Sequence, residues 1–73
     1  MDNTELLAWF DAYEGPKDLY LNDQGLWRCF VGENVRVGGY VRGIEINWTA
    51  GDPVQAVRAV WERYQEIPHE ARM

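Results

Sequence analysis

Ten aromatic side chains, four of them Trp, are spread over only 73 residues, and a chain of this size cannot enclose them all. A buried ring covers on the order of 150–250 Å², whereas a domain near this length removes only roughly 60% of its unfolded surface from water. Some rings must stay partly outside. A small domain with more large apolar surface than it can hide is expected to meet a partner with part of it.

At 8.5 kDa the chain suffices for one domain with one core, close to the limit of independent stability. Twelve acidic against seven basic side chains give a formal charge of -5, which argues against direct binding to nucleic acid, since that affinity depends on neutralising phosphates. The charge is uneven. Residues 1–25 hold six acids and only Lys17, while Arg28, Arg36 and Arg42 outnumber Glu33 and Glu45 in the middle. Cys29 is the single cysteine, so no internal disulfide can form, which suits a reducing cytoplasm. No stretch reads as a secretory signal or a membrane span, so neither secretion nor membrane partnership is expected.

Leu6, Leu7, Phe10 and Tyr13 recur at helical spacing behind Asp2 and Glu5, which stand as a capping box. A short helix is expected over about 3–13, closed by Glu14-Gly15-Pro16 with Gly15 in the left-handed position. Asp52-Pro53 opens a second helix over about 53–66 whose apolar stripe is Val54, Val57, Val60, Trp61 and Tyr64. Beyond Pro68 the chain reads as a frayed tail to residue 73. Trp48 and Trp61 are assigned to the core; Trp9 and Phe10 fit either core or docking surface.

Between the helices the period changes to two. Strands are expected at about 18–22 and 26–31 around Asp23-Gln24-Gly25, a three-residue hairpin loop with Gly25 at positive φ. Pairing Asn22 with Leu26 sorts Leu19, Leu21, Trp27, Cys29 and Val31 to one face, which reads as core, and Tyr20, Leu26, Arg28 and Phe30 to the other. A further strand over about 44–49 alternates Ile44, Ile46 and Trp48 with Glu45 and Asn47. Residues 34–42 fit either a further hairpin turning at Gly38-Gly39 or a loop. The expected fold class is α+β, a three- to four-stranded antiparallel sheet with both helices on one face.

The inventory of reactive groups predicts no catalysis. Serine is absent, Lys17 is the only lysine and His69 the only histidine, so a nucleophile has no base and third group to activate it. One Cys and one His cannot build an N/S zinc site, and no phosphate-cradling glycine motif precedes a helix, so neither metal nor cofactor is expected. Binding fits better. Tyr20, Arg28 and Phe30 share the face opposite the helices, and Tyr and Arg are frequent interface anchors. Arg36, Tyr40 and Arg42 form a second candidate, a basic aromatic loop on an acidic protein.

The stretches MDNTELLAWFDAY and AGDPVQAVRAVWERYQE, in a short acidic chain, resemble the small transcription regulators with which lytic Xanthomonas phages bind host RNA polymerase. That resemblance implies a phage protein of the bacterial cytoplasm that engages the N-terminal segment of the polymerase β′ subunit, inhibits initiation and permits antitermination; the free chain is expected to be a monomer. It transfers no site residue. Gly51-Asp52-Pro53 is also similar to the strand-to-helix junction of HicB-type antitoxins, although the first helix departs from that pattern. An inhibitor of a host defence protein, or an antitoxin-type binding module, therefore stands as the alternative.

Overall fold

The computed structural model describes Met1 to Arg72. Among the described residues the chain runs as helix α1 (Asn3–Ala12), strands β1 (Lys17–Leu21), β2 (Trp27–Val37) and β3 (Tyr40–Ala50), helix α2 (Pro53–Gln65) and a 3-10 turn over His69–Ala71. The fold is α+β. Its antiparallel sheet has the order β1-β2-β3.

Both helices start on aspartate caps. The Asp2 carboxylate accepts the Glu5 amide at 2.8 Å, and Asp52 accepts those of Val54 and Gln55 at 2.8 and 3.1 Å. Each cap satisfies amide donors that the first helical turn leaves without partners. Pro53 at the first position of α2 is preset for helical φ. At the far end of α1 the carbonyls of Phe10 and Asp11 accept Lys17 Nζ, which also supplies the positive charge that a helix C-terminus favours.

The hairpin loops set the register. Asn22 accepts the Gly25 amide at 3.1 Å, and its own amide donates to Leu26 at 2.7 Å, so Leu21 faces Trp27. Gly25 sits at φ +78° and Gly38 at +61°, a region where a Cβ is strained. Gly38 opens a two-residue turn of the kind that joins strands with matching twist. From there β3 tracks β2 along its whole length, from Val37 opposite Tyr40 to Trp27 opposite Ala50.

One aliphatic cluster holds the layers together. Leu6 of α1, Cys29 and Val31 of β2, Ile46 of β3 and Ala56, Val57 and Val60 of α2 are buried in mutual contact. Helix α2 packs on all three strands, and α1 packs against α2 with Leu6 in the same interior cluster, so both lie on one face. Each of the ten rings keeps some exposure: Trp9, Phe10, Tyr13, Trp27, Phe30, Trp61 and Tyr64 are half-buried, and Tyr20, Tyr40 and Trp48 are exposed.

Several sequence expectations change. Of the two readings open for residues 34–42, the hairpin turning at Gly38-Gly39 forms, and its strands are the outer halves of β2 and β3 rather than additional ones. This arm stretches the molecule to 41 × 26 × 18 Å with a radius of gyration of 12.8 Å, against about 11 Å for a compact chain of this length. Trp48, expected in the core, points to the helix side but is 42% exposed, because β3 is an edge strand. The Arg63 guanidinium stacks on it, 3.9 Å from the ring centre. Leu21, at the end of the other edge strand, is exposed rather than in the core. The segment after Pro68 is not frayed through residue 72: Arg72 forms an isolated bridge with Val35 on the margin of β2 that β1 leaves uncovered. Residue 73 lies outside the described residues.

Gly15 also does different work from that expected. Tyr13, with extended backbone, ends α1, and a Cβ on Gly15 would lie 2.7 Å from both the Gly32 carbonyl oxygen and the Tyr13 ring. The glycine is needed for close approach of the α1–β1 connection to β2, not for a left-handed cap. Gly15→Ala should therefore destabilise the protein by about 1–3 kcal/mol through overpacking, whereas Gly51→Ala, with open space around the built Cβ, should stay near neutral; denaturant unfolding of the two variants checks this.

Candidate functional site

Since both helices pack on one side, the opposite side of the sheet is open. Alternation along the strands delivers Asp18 and Tyr20 from β1, Arg28, Phe30 and Asn34 from β2, and Glu45, Asn47 and Thr49 from β3 to that side. Phe30 lies on the central strand between Asp18 and Asn47, and Arg28 lies between Tyr20 and Thr49. The three residues singled out from the sequence on this face, Tyr20, Arg28 and Phe30, are thus brought together. Arg28 makes the only ion pair among the described residues, to Glu45 at 3.9 Å with both groups substantially exposed. Such a pair contributes little and leaves most guanidinium donors free for another acceptor.

The second expected group is not brought together. Arg36 projects to the open face, opposite Val41, whereas Tyr40 and Arg42 project to the helix side, opposite Val37 and Val35. They belong to strands rather than to a loop, and the two-residue period of a strand separates them. The tip that carries them is nonetheless apolar and bare, with Tyr40 80%, Val37 58% and Val41 57% exposed.

A third feature lies on the helix side, where the end of α1 meets β2 and α2. Trp9, Tyr13 and Tyr64 form a ring cluster with centres 5.5–5.7 Å apart, within the range favoured by tilted and edge-on aromatic pairs. The single Tyr13 hydroxyl proton is shared between the Gly32 carbonyl at 2.7 Å and the Glu33 carboxylate at 3.0 Å. Burial, followed by the hydrogen bond and charge of Glu33, holds the Tyr13 hydroxyl protonated far above its usual range. Burial and Glu33 raise Tyr64 as well, with Arg72 pulling the other way. These groups border a cleft of about 370 Å³. In the sequence Glu33 registers only as a charge within an undetermined segment; its strand parity, odd like that of Cys29 and Val31, is the signal that it faces the helices.

Nothing in the described residues assembles a metal-binding group, and no helix is long and apolar enough to cross a membrane. Compared with family models, curated proteins and solved structures, the chain matches none.

Cys29 is fully buried, and burial, reinforced by the charge of Asp18, pushes its thiol up to about 11. A neutral, enclosed thiol is a poor nucleophile. The unfolded chain ionises this group at about pH 8.5, so the stability that comes from keeping it neutral is complete below that pH and is lost as pH rises through about 11. Native protein at neutral pH should react with a thiol reagent far more slowly than denaturant-unfolded protein. The alkaline fall in unfolding free energy should be shallower in Cys29→Ala, as measured by denaturant titration across the pH range.

Proposed function

We propose that this chain is a non-catalytic protein-binding regulator that docks through the open face of its sheet around Phe30. The observation that carries the reading is a half-buried Phe30 on the central strand, flanked by exposed Tyr20 and by Arg28, on a face that neither helix covers. Interface centres are enriched in aromatic residues and Arg, and the energetically dominant residues cluster near the middle of the patch. The supply of reactive groups favours binding over catalysis: the one thiol is enclosed, and the one imidazole is on the exposed 3-10 turn after α2.

For the partner, the resemblance in sequence points to bacterial RNA polymerase, engaged at the N-terminal segment of its β′ subunit in the bacterial cytoplasm, with inhibition of initiation and antitermination as the outcome. The mechanism would be occupation of a polymerase surface by a monomer, shifting the enzyme among the states it already populates. A net charge of -5 would accelerate approach to a basic patch at low salt.

Binding of the protein to purified polymerase is the direct test. Phe30→Ala should weaken binding about ten-fold or more, as expected for a residue at the centre of an interface, while the unfolding transition stays close to that of the parent. Association should slow as salt increases. Unchanged affinity of both Phe30→Ala and Tyr20→Ala would remove the sheet face as the docking surface, and failure to bind polymerase would remove the partner.

A further inference from the structure

The cleft beside the end of α1 joins two properties that select one class of ligand. It is lined by the aromatic residues Trp9, Tyr13 and Tyr64 and by the acidic residues Glu14 and Glu33. Glu33 accepts neutral donors only: Tyr13 hydroxyl at 3.0 Å on one oxygen and the Asn34 amide at 3.0 Å on the other. Among the described residues no cationic group lies within 4.0 Å of it, since the sole ion pair is Arg28–Glu45. Arg72, stacked on Tyr64, is the cation nearest this cluster and forms no ion pair with Glu33, and a half-buried carboxylate without an ion-pair partner beside aromatic rings attracts a cation by charge and by ring quadrupole together.

The rest of the molecule shows how its rings are otherwise satisfied. Lys17 lies over Phe10, Arg63 over Trp48 and Arg72 over Tyr64, at 5.5, 3.9 and 4.6 Å from the ring centres. Three such pairs in a chain this short exceed the usual frequency of about one per 70–80 residues. Trp9 and Tyr13 have no cation of their own among the described residues, and both border the cleft. Anions would be repelled by the two carboxylates. A bare metal ion would lack ligands, because no group of three or more His, Cys, Asp or Glu able to hold one occurs among the described residues. The volume, about 370 Å³, falls within the roughly 300–1,000 Å³ of small-ligand pockets.

We propose that this cleft binds an organic cation, an ammonium or guanidinium group held against the Trp9 and Tyr13 rings with Glu33 as counter-charge, beside the Tyr64 ring that Arg72 already covers. The cation is carried either by a free small amine or by a basic side chain of a partner. The site is on the helix side of the sheet, so its fate and that of the Phe30 face are separate. The test is an NMR titration of the isotope-labelled protein at low salt with choline, with its neutral isostere 3,3-dimethylbutanol, and with Nα-acetyl-argininamide. The cationic probes should shift the Trp9 indole and the Gly15 and Glu33 amides saturably, and about ten-fold more tightly than the isostere. Glu33→Gln keeps an acceptor for the Tyr13 hydroxyl and should weaken the cations several-fold without affecting the isostere; Glu14→Gln, at an exposed position, should do so to a lesser degree with the fold intact. Preference for choline would identify a free amine, and preference for the arginine derivative a partner side chain. Equal binding of choline and its isostere, no saturable shift with any probe, or cation affinity indifferent to both substitutions would overturn the proposal.

Discussion

Leu6, Cys29, Val31, Ile46, Ala56, Val57 and Val60 form the interior that the other elements are arranged around, and its smallness governs the whole molecule. It contains aliphatic side chains and one thiol, and no ring is fully enclosed. Two helices can cover one side of a three-stranded sheet and no more. The rings therefore form a girdle around the interior, each with an apolar body against the core or the sheet and another part in contact with water, as amphipathic and aromatic side chains commonly arrange themselves.

The girdle is stabilised by polar partners rather than by deeper burial. Cations stack on Phe10, Trp48 and Tyr64, and the Tyr13 hydroxyl bonds to the Gly32 carbonyl and Glu33. The Tyr13 bonds join the last turn of α1 to the central strand just beyond the end of β1, where Gly15 lets the backbones come together. The Val35–Arg72 bridge lies farther along the same strand, and Arg72 also donates to the carbonyls of Tyr64 and Ile67. One short margin of β2 thus gathers the end of α1, the end of α2 and the last described residue, and the acidic aromatic cleft is the space left between them.

Much of the fold was legible because it depends on local chemistry. Aspartate caps, Pro53 and the Asp23-Gln24-Gly25 loop act within a few residues of themselves, and the structure uses each in its expected place, while Gly38-Gly39, which fitted a turn or a loop, makes the turn. Alternation around the first hairpin assigned Cys29 and Val31 to the covered face and Tyr20, Arg28 and Phe30 to the open one, because a loop of known length fixes strand parity. The reading was weaker where a local pattern has more than one tertiary outcome. Trp48 has the parity of a core residue, but parity does not say that β3 is an edge strand. Gly15 before Pro16 has the appearance of a helix terminator, but its neighbour in space, Gly32, is distant in sequence.

By itself, then, the sequence determined element types, strand parity and the shortage of interior, since these follow from side-chain period, backbone preference and the ratio of ring surface to chain length. Only the tertiary structure decided how far β2 and β3 extend together, which ring each cation covers, and that Arg36 faces away from Tyr40 and Arg42. It alone placed Glu33 among Trp9, Tyr13 and Tyr64. Those outcomes depend on contacts between residues far apart along the chain, whose meeting is set by how the layers pack rather than by any preference of the residues themselves.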